Sequence, residues 1–127
     1  MCIVSDNRGF TLVEILVAIV ILSIGLLAMA GLTTGVMRGN AFSNRMTTAI
    51  MLAQEKMEDI RRLGYSGTPT ADKTTTEDYG SIANHAPYKR ATFTDVGSPA
   101  QAMKRVTVTV YWGSDAHAAS LTTVLAE

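Results

Sequence analysis

Residues 8–27 read RGFTLVEILVAIVILSIGLL, and the apolar character runs on to Met37. From Ile15 to Met37 there are 23 consecutive residues without a charge, while the 90 residues that follow carry nearly all of the charge. At about 1.5 Å per residue, a helix of that length spans roughly 35 Å. That crosses a bilayer core of about 30 Å with some tilt. A secretory signal peptide has a shorter apolar stretch, with its small-residue cleavage site after it. Here the order is reversed: Gly9 precedes the run and the run is too long. The segment therefore reads as a retained membrane anchor rather than a discarded leader core.

One charge sits near its start. Glu14 lies four residues after Phe10. An ionised carboxylate at the centre of a membrane helix costs about 2.5–3.5 kcal/mol on insertion scales. Near a helix N-terminus the dipole lowers that cost. The residue reads either as a first-turn glutamate reaching the headgroups or as one that awaits a cationic partner.

The same string resembles the class III signal of type IV pilins and type II secretion pseudopilins. In that family a prepilin peptidase cuts after the glycine and the new terminal phenylalanine is N-methylated. The resemblance implies a leader at residues 1–9, with Arg8 as the basic residue before the cut, Gly9 as the last leader residue and Phe10 as the methylated terminus. Thr11, Leu12, Val13 and Glu14 match the rest of the motif. It also implies a partner for Glu14, the new Phe10 amine of a neighbouring subunit. The physical logic is that a charge among packed apolar helices needs an opposite charge beside it.

The helical pattern continues past Met37. Phe42, Met46, Ala49, Ala53, Met57 and Ile60 recur at intervals of three and four, which predicts an amphipathic stripe. Glu58 stands four residues before Arg62, a favoured helix pair. No proline interrupts residues 10–64, and Gly64 reads as a C-cap. The expectation is one helix of about 55 residues, roughly 80 Å long, with residues 10–37 as the transmembrane and assembly portion. Gly31, Gly35 and Gly39 place small residues on one face and permit close helix packing. They also weaken the helix by about 1 kcal/mol each relative to alanine.

Residues 38–127 read as a soluble head. Residues 65–87 contain Gly67, Pro69, Gly80 and Pro87 and read as a loop. Three strand-like segments follow: Tyr88–Val96, the alternating run around Val106, Val108 and Val110, and Leu121–Leu125. Gly113–His117 carries turn residues. The expected fold class is α+β, a long N-terminal helix packed on a small antiparallel three-stranded sheet.

Composition narrows the function. Eleven basic and eleven acidic residues give a formal net charge of zero, which argues against a nucleic-acid partner. The one cysteine, Cys2, excludes an intrachain disulfide and a Cys-rich zinc site. It lies in the expected leader. His85 and His117 lack metal-ligand spacing. Ser114, Asp115 and His117 are close in sequence but lack an orienting elbow, and Trp112 reads as a strand-end core residue. The expectation is a structural subunit, not an enzyme, with no cofactor.

The small head and the missing C-terminal cysteine pair point away from a major pilin, and the stretches AIMLAQEKMEDIRRLGY, VTVTVYW and LTTVLAE resemble V-type minor pilins, often named type IV pilus modification proteins. They also resemble the I-type minor pseudopilin of type II secretion. The resemblance implies an inner-membrane subunit with a periplasmic head, later found in a surface filament. Its partners would be the major and minor pilins, prepilin peptidase and the inner-membrane assembly platform. A pilin with an adhesive or DNA-uptake head is a further alternative. Lys89-Arg90 and Lys104-Arg105 are its only basic candidates, and they read as solvated strand ends.

Overall fold

The computed structural model describes residues 9–127. The chain divides into two compact units, one ending at Ala41 and the other running from Phe42 to Glu127. Helix α1, Leu12–Gly67, extends through both.

In the first unit Thr11 caps α1. Its carbonyl accepts from the amides of Glu14 and Ile15 at 3.1 and 3.2 Å, and its Oγ1 accepts from the Glu14 amide at 3.3 Å. The Glu14 amide, which a helix N-terminus otherwise leaves orphaned, is thereby satisfied, and the Ile15 bond opens the regular ladder. The hydroxyls farther along turn back on the helix. Ser23 donates to the Ile19 carbonyl at 2.7 Å, Thr33 to Met29 at 3.0 Å and Thr34 to Ala30 at 3.1 Å. These three hydroxyls are thereby satisfied within their own helix. By length and composition this helix can cross a membrane.

The second unit packs the C-terminal part of α1 on a four-stranded antiparallel sheet in the order β1-β2-β3-β4. The strands are β1 Lys73–Glu77, β2 Tyr88–Val96, β3 Met103–Trp112 and β4 His117–Ala126. β3 is the organising strand. Its burial alternates without a break, so Lys104, Val106, Val108, Val110 and Trp112 all face the helix. Period-two alternation places every second side chain on one face. Ala49 and Ala53, both fully buried, let the helix approach closely; Leu52, Met57 and Ile60 fill the space on either side. Ile82 and Tyr88 complete the core, with Ala119, Leu121 and Leu125 of β4 partly buried at its margin.

The structure corrects the sequence reading in four places. The sheet has four strands, not three, because part of the expected loop 65–87 forms β1. Its residues Thr74, Thr75 and Thr76 pair with Phe93, Thr92 and Ala91 of β2; threonine is β-branched and suits a strand even where nothing is buried. The last strand begins at His117 rather than Leu121, since ten consecutive residues pair with β3. The helix end also differs. Gly64 does leave helical geometry, with φ 69° and ψ −173°, but one further turn carries α1 to Gly67. The amphipathic stripe is shorter than expected: Phe42 and Met46 remain 45% and 42% exposed, while Leu52, absent from the expected stripe, is buried.

Candidate functional site

Gly9 and Phe10 precede the first turn of α1, and Glu14 is its third helical residue. Thr11-Leu12-Val13-Glu14 therefore has the spacing of a capping box, hydroxyl first and carboxylate three positions later. The spacing also fixes what lies above what. Phe10, Glu14, Ala18 and Leu22 recur every four residues and line one shallow groove with Ile15 and Ile19. The wall is almost wholly apolar and the Glu14 carboxylate is the one ionisable group in it. Within a single chain this surface is uncovered, with Phe10 79% exposed. Gly31, Gly35 and Gly39 are likewise open, since a Cβ at any of them would meet no atom within 4 Å. Arg8 and Cys2 lie outside the described residues.

An apolar helix with a capped start and a single carboxylate one turn in leaves an uncovered face that lipid or other helices can occupy. The segment matches the family model described as the prokaryotic N-terminal methylation motif, over residues 4–30. The chain's N-terminal segment carries the motif found in type IV pilins and pseudopilins. No curated protein and no solved structure matches the chain. The motif of a pilin-like protein implies processing by prepilin peptidase and assembly with other pilin subunits in the membrane. It points to a structural subunit, and with the apolar helix it fits a membrane-anchored pilin.

The C-terminal unit holds three charged networks. In the first, Arg90 is 7% exposed. Its Nε and Nη2 donate to Glu77 Oε2 and Oε1 at 2.7 and 2.8 Å, and its Nη1 donates to the Leu52 carbonyl of α1 at 2.9 Å. Lys56 adds a contact to Glu77 at 3.4 Å. The Arg90 hydrogen bond holds the Glu77 carboxyl below its ordinary range, and Glu77 raises Arg90 in return.

In the second network Lys104 is 2% exposed. Its Nζ donates to the carbonyls of Tyr65 and Thr68 at 2.7 and 3.2 Å and lies 4.1 Å from the centre of the Tyr65 ring. A cation placed on the last carbonyls of a helix meets the negative end of its dipole. Arg90 and Lys104 are thus buried structural cations rather than solvated strand ends.

The third network lies at the surface. Tyr79 donates its hydroxyl to Asp115 Oδ1 at 2.9 Å and accepts the Asp115 amide at 3.0 Å. Lys89 pairs with the other oxygen of Asp115. Its hydrogen bond holds the Asp115 carboxyl low and raises Lys89.

Ser114, Asp115 and His117 do not converge. Asp115 is engaged by Tyr79 and Lys89, while the His117 ring stands against Phe42 at 5.2 Å and Trp112 at 5.5 Å. Trp112 is a core residue at 2% exposure, and His85 Nδ1 lies 3.0 Å from the Ala83 carbonyl. Among the described residues no group of three or more His, Cys, Asp or Glu side chains is placed to hold a metal ion. The expected Glu58–Arg62 pair gives way to an Arg62–Asp59 contact at 3.5 Å.

Proposed function

We propose that the protein is a V-type minor type IV pilin that initiates or modifies pilus assembly through its N-terminal helix. The N-terminal methylation motif over residues 4–30 supports the pilin part of this reading, and the resemblance of the head stretches supplies the subtype. On it, residues 1–9 are the leader, 10–37 the transmembrane and assembly helix, and 38–127 the head. Prepilin peptidase recognises Arg8 and Gly9, cuts before Phe10, and the new terminus is N-methylated. The chain waits in the inner membrane with its head in the periplasm, then enters a surface filament beside major and minor pilins.

Two observations support roles for particular residues. Glu14 stands in an apolar groove with Phe10, four residues apart on one face. A carboxylate in such a setting is stabilised by a cation at the same depth, and cleavage at Gly9 creates an amine on a neighbour's Phe10. Gly31, Gly35 and Gly39 leave a strip with no side chain over it, suited to close helix approach. The I-type minor pseudopilin of type II secretion is the second reading; it rests on the same motif.

The deciding experiment is intact mass and N-terminal sequencing of the protein from its native membrane. A chain beginning at N-methylated Phe10 is expected. A chain that keeps Met1 in cells with active prepilin peptidase overturns the proposal. Exchange of Gly9 for a bulkier residue is expected to block processing.

A further inference from the structure

The β1–β2 loop and the β3–β4 turn meet at one end of the sheet, beside Arg45 of α1. Between them is a cleft of about 360 Å³ lined by Arg45, Tyr79, Pro87, Tyr88, Trp112 and Ser114. We propose that this cleft binds the ring of an acidic sugar, a pyranose that carries a carboxylate, such as the terminal residue of a glycan.

Three features carry the assignment. The first is the wall. Tyr79, 41% exposed, supplies the open aromatic wall, while the buried Tyr88 and Trp112 form the floor; the apolar face of a pyranose is matched by aromatic carbons. The volume falls at the low end of the roughly 300–1,000 Å³ of small-ligand sites, which fits one ring rather than a chain of them.

The second is charge. Arg45 is exposed at the cleft, and among the described residues no carboxylate lies within ion-pair distance of it. The other cation at this end, Lys89, is already paired with Asp115. Arg45 is therefore the group left to take an anion, and its planar fork suits a carboxylate.

The third is rigidity. Tyr79 is 41% exposed, so burial does not fix its ring. Instead the reciprocal bonds to Asp115 fix it, with Lys89 over the ring at 5.6 Å. The turn that supplies Asp115 holds two non-glycine residues at positive φ, Ser114 at 57° and Asp115 at 65°. That conformation is unfavourable for residues with side chains and persists where surrounding bonds hold it. A surface tyrosine held this way presents a preformed wall, which reduces the ordering cost of binding.

The chain contains one tryptophan, and Trp112 lines this cleft, so its fluorescence reads the site directly. The test titrates the full chain in detergent micelles with D-glucuronate and N-acetylneuraminate. D-glucose and acetate, at matched ionic strength, control for the ring and the charge alone. Saturation-transfer NMR on each sugar runs in parallel. A saturable response to at least one acidic sugar, absent with glucose and acetate, is expected. In Arg45→Gln, with an unchanged circular dichroism spectrum, affinity should fall about tenfold or more, as for loss of a charge-assisted hydrogen bond. Silence from both acids in both measurements overturns the proposal. So does an equal response to acetate or glucose, or undiminished affinity in Arg45→Gln.

Discussion

Arg90 and Glu77 face each other across the β1–β2 ladder and share two parallel hydrogen bonds of 2.7 and 2.8 Å. The same guanidinium reaches the Leu52 carbonyl. One side chain therefore joins the edge strand, its neighbour and the helix.

Exchange of Glu77 for glutamine leaves Arg90 buried with a weaker partner. Removal of one member of a fully buried pair costs roughly 3–5 kcal/mol. The Glu77 side chain is 30% exposed, so the expected loss is about 1–2 kcal/mol. Chemical denaturation of the full chain in detergent checks it, and an unchanged midpoint would refute the role given to this pair.

The pair also sets a pH dependence. The folded state holds the Glu77 carboxyl below its ordinary value of 4.5. A group depressed on folding stabilises the protein above its unfolded pKa, and that stabilisation disappears as pH falls through the folded value. The thermal midpoint is expected to decline below about pH 4.5, and to decline less steeply in Glu77→Gln. Parallel curves for the two proteins would remove Glu77 as the cause.

Lys104→Met keeps the volume of the stem and deletes the ammonium. The carbonyls of Tyr65 and Thr68 then lose their donor, at an expected cost of about 2 kcal/mol. Hydrogen exchange should locate the loss near Gly64–Thr68; protection unchanged there would show that the contact contributes nothing.

Leu52→Ala opens a cavity between α1 and β3. Leu52 is 1% exposed beside fully buried Ala49 and Ala53, which have no longer side chains to fill the gap. A loss of about 2–5 kcal/mol is expected, measured by the same denaturation.

Glu14→Ala tests the N-terminal helix apart from the head. The substitution makes the segment more apolar, so membrane insertion is expected to persist while recovery in sheared filaments falls. Equal amounts of mutant and parent in the filament fraction would show that the carboxylate is dispensable.

Some of this was legible in the sequence for physical reasons. An uncharged run of membrane length has few other meanings. The alternation of Val106, Val108 and Val110 fixed the face of β3, because a strand buried on one side must repeat every second residue. β1 was hidden. Lys73–Glu77 buries no residue and shows no hydrophobic pattern; its place depends on backbone pairing and on Arg90, thirteen residues away. Arg90 and Lys104 misled for a related reason. A charge in a strand ordinarily marks water, and only the folded chain shows the Glu77 carboxylate or the α1 carbonyls waiting above each one. The convergence of Arg45, Tyr79 and Trp112 left no local signal, since three separate elements supply them.

β1 adds nothing to the apolar core and is tied to the helix only through ionic groups. Its detachment would leave the core residues of α1 and β3 packed as before. The outer rim of β2, from Arg90 to Thr94, would then show bare amides and carbonyls to its surroundings, with Phe93 already 44% exposed beside them. An unpaired rim of that kind is a template for another chain. The Glu77 clasp helps keep that rim covered, so loss of its charge in acid is expected to favour exposure of the rim.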